Sequence, residues 1–131
     1  MKEVYDYIKS CGGVYYLATI DNNKPKLRPF GTLEIIENKL YLLTGKEKNV
    51  YKQLKKNNNM EVVASKGEDW IRISGELVED DRKEIKKEML DRNPHLRVAY
   101  NEDDDHTAIF YFNNCEAVVN SFTAPPRTIK F

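Results

Sequence analysis

The segment Leu43-Thr44-Gly45-Lys46-Glu47-Lys48-Asn49-Val50 carries the groups best suited to chemistry. An apolar run ends at Thr44, a glycine permits a tight backbone turn, and an amphipathic run begins at Lys48. A strand that gives way to a helix in this manner leaves N–H groups unpaired at the positive end of the helix dipole, where phosphate is attracted. Thr44 adds a hydroxyl, Lys46 and Lys48 add positive charge, and Arg28 on a neighbouring strand would add a bidentate fork. The GxxxxGK[ST] pattern of a P-loop is absent and strand–Thr-Gly–helix segments are common, so on spacing alone a solvated basic turn with an ordinary helix start is the better reading. A second feature is Arg28-Pro29-Phe30-Gly31. Pro29 lacks an N–H and places its strand at an edge or bulge. Gly31 lets another group approach the backbone, as a flat ligand or a barrel corner would require.

Other chemistries find little footing. His95 and His106 read as exposed polar residues, and Asp103-Asp104-Asp105 lacks the glycine and distant glutamate of a calcium loop. Cys11 and Cys115 stand alone, without metal-ligand or redox spacing, and read as free thiols. No metal site and no Ser/His/Asp arrangement is expected. Trp70 falls on the strand face opposite Ile71 and Ile73, suited to core, interface or ligand contact.

Positioning these groups falls to one predicted domain spanning 1–131. Lys+Arg and Asp+Glu balance at 21 each, so no global field draws in nucleic acid or an anionic membrane surface. No apolar run has the length of a membrane span and the N-terminus has no signal-peptide pattern, which makes the cytoplasm the expected location. Periodicity predicts a helix over Lys2–Cys11 and strands over Val14–Ile20, Pro25–Ile36 and Leu40–Thr44 that form an antiparallel meander. On the second strand Leu27, Leu33 and Ile35 are expected on one face, with Arg28, Phe30 and Thr32 on the other. A helix over Lys48–Lys56 is followed by strands Met60–Ala64 and Trp70–Glu79, the latter with Ile71, Ile73 and Leu77 inward. A helix over about Asp81–Arg92 is capped by Asp80 or Asp81. Pro94 opens a short helical piece, and a last strand or strand pair over Thr107–Phe122 is broken at Asn113-Asn114. The expected fold is mainly β (α+β): a six-stranded antiparallel split β-barrel with a few peripheral helices.

Taken in order, Leu17-Ala18-Thr19, Arg28-Pro29-Phe30-Gly31, Leu40-Tyr41-Leu42-Leu43-Thr44, Lys48 to Leu54 and Trp70 to Glu76 resemble the pyridoxamine 5′-phosphate oxidase-like proteins. These have the FMN-binding split barrel, and the chain looks similar to their short, nitroimidazole reductase-like branch. The resemblance implies a homodimer with FMN at the subunit interface. It implies that Arg28, Pro29, Phe30 and Gly31 line the ring and ribityl chain and that Leu43, Thr44 and Gly45 continue that wall. Lys48, Asn49 and Val50 would hold the phosphate, and Trp70, with Arg72 as a second candidate, would close the pocket from the partner subunit. True vitamin B6 oxidases carry an arginine-lysine pair near Asn49-Val50 and a basic C-terminal motif, whereas this tail offers only Arg127. Neither histidine takes the place of the branch's active-site histidine. The function implied is an FMN-dependent oxidoreductase acting on a small molecule, with NAD(P)H as a possible reductant; the alternative is a non-catalytic flavin-binding or stress-response protein.

Overall fold

A computed structural model describes residues 1–131 and contains eight strands and three α-helices in one antiparallel sheet assembly. In chain order these are α1 (Lys2–Ser10), β1 (Tyr15–Asp21), β2 (Lys24–Phe30), β3 (Glu34–Ile36), β4 (Lys39–Gly45), α2 (Asn49–Lys56) and β5 (Asn59–Lys66). There follow β6 (Asp69–Asp80), α3 (Lys83–Arg92), a short 3-10 helix (Pro94–Val98), β7 (Thr107–Asn120) and β8 (Arg127–Lys130). The strands pair in the order β2-β1-β5-β6-β7-β4-β3, with β8 on the far half of β7. The sheet has eight strands rather than six, and it does not close: β2 and β3, consecutive in the chain, lie at its opposite ends.

The run expected as one strand over Pro25–Ile36 is therefore two. It breaks at Gly31–Leu33, where the chain leaves one end of the sheet and joins the other. As Pro29 requires, β2 is an edge strand. The break also shifts the side-chain phase: Leu27 is 68% exposed, Leu33 is fully buried, and Arg28 is half-buried, so the two leucines do not share an inward face. The expected meander is corrected as well. After β3 the chain turns back into β4, which bonds to β7 rather than to the first two strands. Two contacts pin the crossing. The Tyr15 hydroxyl donates to the Thr32 carbonyl at 2.7 Å, and the Leu43 N–H donates to Thr32 Oγ1 at 3.1 Å.

The C-terminal half holds the remaining differences. β7 runs unbroken through Asn113-Asn114, which form a bulge where the register passes from Ser74–Glu116 to Glu76–Asn113. Asn114 takes the left-handed conformation there, with φ 50°. Gly75 faces the bulge, and a Cβ on it would lie 2.6 Å from Cys115 Sγ. Beyond Pro125-Pro126 the tail adds β8, and Cys115 and Phe131 exchange backbone hydrogen bonds past its end. Helix α3 starts at Lys83, with Asp80 accepting the Arg82 N–H just ahead of it rather than acting as the cap residue.

The main core fills the curl of the sheet. Leu17, Leu42, Val62, Ile71, Ile73 and Phe110 meet there, sealed by Val4 and Ile8 of α1 and by Val50 and Leu54 of α2. Each fully buried side chain of this size contributes roughly 1.5–3 kcal/mol. A second cluster covers the outside of β4, where Tyr41 and Leu43 pack on Ile85, Met89 and Leu90 of α3. Both cysteines are free, Cys115 buried and Cys11 half-buried. No helix is long and apolar enough to cross a membrane.

Candidate functional site

Between the two ends of the sheet lies an open cleft of about 260 Å³. Arg28, Pro29, Phe30 and Gly31 form one wall, and Leu43 and Thr44 at the end of β4 form the other. Lys48 and Val50, at the start of α2, close one end. There the cleft adjoins a more polar recess that includes Arg28, Lys48, Asn49 and Gln53, with Asp21 and Lys26 at its rim. Arg28, Thr44 and Lys48 are thus brought together, although β2 and β4 lie toward opposite ends of the sheet, because the chain crosses between those ends at Gly31; Lys46 lines neither the cleft nor the recess.

Local geometry explains the turn into α2. A side chain at Gly45 would run into the Glu47 carboxylate, which folds back over it. The Lys48 N–H donates to the Gly45 carbonyl at 3.1 Å, and the Lys46 N–H to the His106 carbonyl at 2.7 Å. Lys48 is extended (φ −81°, ψ 149°), and no side chain caps the helix that follows. Its first N–H groups are therefore free of side-chain partners, at the positive end of the dipole.

Arg28 is held by neutral acceptors. Its Nη1 donates to the Leu17 carbonyl at 3.0 Å and to Thr19 Oγ1 at 2.8 Å, and Nη2 donates to Gln53 Oε1 at 2.8 Å. Burial lowers its pKa from the usual guanidinium value, and no carboxylate acts against that. Neither Arg28 nor Lys48 takes part in an ion pair. The hydroxyl of Thr44, a residue 3% exposed, is buried without any hydrogen-bond partner. An unsatisfied buried hydroxyl costs about 1–3 kcal/mol. The arrangement suits a ligand with a flat body against Pro29 and Phe30, a polar group for Thr44 and an anionic end at Arg28 and Lys48.

The remaining expected residues stand apart. Gly45 shapes the turn behind the wall, and Asn49 reaches the polar recess alone. Trp70, at the start of β6, does not line this chain's cleft and packs edge-on against Phe122 with ring centroids 6.1 Å apart. Four contributors escaped the sequence reading, the first being Thr32 at the chain crossing. Leu96 and Tyr100, four residues apart beyond Pro94, close the far end. Tyr100 stacks on His106 at 5.5 Å. His106 in turn lies 3.0 Å from Asp104 and 3.3 Å from Glu47, behind the wall rather than in it. Gln53 is the fourth. Its signal in the sequence is a polar side chain on the apolar stripe of α2, beside Leu54 and three residues after Val50. Within the acidic loop Asp104 accepts the N–H groups of Asn101, His106 and Thr107.

No sequence profile of a known family matches the chain, and no functionally curated protein does. Solved structures do. A NimC/NimA family protein of Clostridium acetobutylicum is 36% identical, with a TM-score of 0.95 over 100% of this chain and 92% of that one. General stress protein 26 of Bacillus anthracis is 17% identical, with a TM-score of 0.75 over 100% of both chains. A pyridoxamine 5′-phosphate oxidase-related, FMN-binding protein of Nostoc punctiforme is 9% identical, with a TM-score of 0.64 over 99% of this chain and 95% of that one. The last two share the split-barrel fold alone. The identity and full coverage of the clostridial protein go further, and on them the chain belongs to the NimC/NimA family.

Proposed function

We propose that the cleft holds FMN and that the protein is a flavin-dependent oxidoreductase acting on a small molecule. The observation that carries this reading is the pairing of two cations without carboxylate partners, Arg28 and Lys48, with the orphaned Thr44 hydroxyl on one wall. In this reading the FMN phosphate lies against Arg28, Lys48 and the N–H groups at the start of α2. The ring system lies along Arg28-Pro29-Phe30-Gly31 and Leu43-Thr44, and Thr44 donates to one of its polar edges. When bound, FMN supplies the electron- and hydride-transfer chemistry; the protein binds it, orients it and limits solvent at one face.

The same reading includes a homodimer. A cleft of about 260 Å³ is smaller than the ~300–1,000 Å³ of enclosed ligand pockets, and it is open. The outward face of the β2-β1-β5-β6 region carries Tyr16 at 47% exposure and Leu27 at 68%, beside Val63 and Arg72. Trp70 shares the outward face of β6 with Arg72. A second copy seated on this surface would cover those apolar groups and bring its Trp70 toward the cleft.

The test is anaerobic reduction. Purified protein with bound flavin is mixed with NADH or NADPH, and the flavin absorbance is followed before and after a small electron acceptor such as a nitroaromatic is added. Bleaching followed by recovery of colour on addition of the acceptor is the expected result. Bound flavin that no reductant bleaches would exclude the oxidoreductase reading. A haem spectrum in place of flavin bands would exclude the cofactor.

A further inference from the structure

We infer that Gln53 and Thr19 form a positioning pair that aims the Arg28 guanidinium into the cleft and leaves its charge uncompensated, so that the site selects a phosphate monoester over the same ligand without its phosphate. The inference rests on the reading of the cleft as an FMN site.

Both members of the pair are buried, Thr19 at 2% exposure and Gln53 at 8%. The Thr19 hydroxyl donates to Gln53 Oε1 at 2.6 Å and accepts from Arg28 Nη1 at 2.8 Å. Gln53 Oε1 accepts in addition from Arg28 Nη2 at 2.8 Å. One oxygen thus receives a hydroxyl from β1 and a guanidinium N–H from β2, which locks α2 to both strands. With the Leu17 carbonyl, three neutral acceptors engage three of the five guanidinium N–H groups, leaving two for a ligand.

The chemical type at position 53 is decisive. An amide at this depth is tolerated only when hydrogen-bonded, so an apolar residue would be the simpler way to complete the stripe of Val50 and Leu54. A glutamate would fit the same space and accept the same two hydrogen bonds, but its charge would cancel that of Arg28. Glutamine fixes the fork and leaves the charge for the ligand. Lys48 contributes at the surface, where solvent screens it more.

The experiment is Gln53→Glu, with FMN and riboflavin titrated into apo wild type and variant and binding read from flavin fluorescence. The two ligands differ only in the phosphate. FMN affinity is expected to fall roughly 10- to 100-fold while riboflavin affinity stays within about threefold, which collapses the preference for the phosphorylated form. Thr19→Val is the second variant, in case the first does not fold, and is expected to lower FMN affinity roughly tenfold with riboflavin again unchanged. Equal losses for both ligands in a folded variant would reduce the pair to a structural role and overturn the inference, as would an undiminished FMN preference. Wild-type protein that binds neither flavin would overturn instead the reading on which the inference rests.

Discussion

Thr44→Val separates the demands of the fold from those of the ligand, because the two are expected to move in opposite directions. The Thr44 hydroxyl is buried on β4 and has no partner, while its carbonyl and N–H belong to the ladder with β7. Valine keeps the shape and β-branching and removes only the unsatisfied polar atom. Relief of that desolvation is worth about 1–2 kcal/mol, which corresponds to a rise in apo melting temperature of roughly 4–7 °C at this chain length. A hydrogen bond from the hydroxyl to a bound ligand contributes about 0.5–1.5 kcal/mol net, so FMN should bind roughly 2- to 10-fold more weakly. Calorimetry of the apo protein and fluorescence titration with FMN measure both quantities. A variant that melts lower and binds FMN with unchanged affinity would show that the hydroxyl serves the fold, and the argument from its orphaned state would fail.

Arg28→Ala combined with Lys48→Ala should weaken FMN binding by a factor of about 100 or more, since each charge-assisted contact is worth about 1.5–3 kcal/mol; unchanged flavin content in the purified double variant would remove the phosphate assignment. Asp80 predicts an acid limb. The Arg82 guanidinium, helped by the Tyr41 hydroxyl, holds its carboxyl down at about 2, below its ordinary value. The stability it contributes is therefore present above about pH 4 and is lost as the pH falls toward 2. Asp80→Asn should flatten that part of an acid-unfolding curve followed by circular dichroism, and a curve identical to wild type would contradict the assignment. Gly75→Ala places a methyl group 2.6 Å from Cys115 Sγ and 3.0 Å from the Asn114 carbonyl, and should cost about 1–3 kcal/mol in chemical denaturation. No loss would mean that the bulge yields freely.

The strands that cradle the core were legible because their side chains alternate. Ile71, Ile73 and Leu77 point inward on β6 as their spacing requires, and Pro29 marked an edge strand through its missing N–H. Pairing was less legible, since period-2 alternation says which face is buried but not which neighbour lies alongside. Thus β4, which follows β3 in the chain, was expected in a meander and instead pairs with β7. The split itself depends on Gly31–Leu33, three residues that carry the chain from one end of the sheet to the other and that look like strand when read alone. The same crossing explains how Arg28 on β2, at one end of the sheet, and Thr44 on β4, next to the other end, come to line one cleft. Leu96 and Tyr100 escaped notice because the 3-10 segment shows no buried face of its own, and their role comes only from where α3 delivers the chain. Gln53 went unnoticed although it is a polar residue on a buried stripe, because its partner Arg28 lies 25 residues away and no local pattern connects them.

The central claim is that this cleft binds FMN, and the most direct measurement is the identity and amount of the small molecule released when the purified protein is denatured, determined by chromatography and mass spectrometry. The expected result is FMN, or, for protein isolated without ligand, saturable uptake of one FMN per chain with a preference over riboflavin. Protein that carries no flavin and takes up none on titration would contradict the claim.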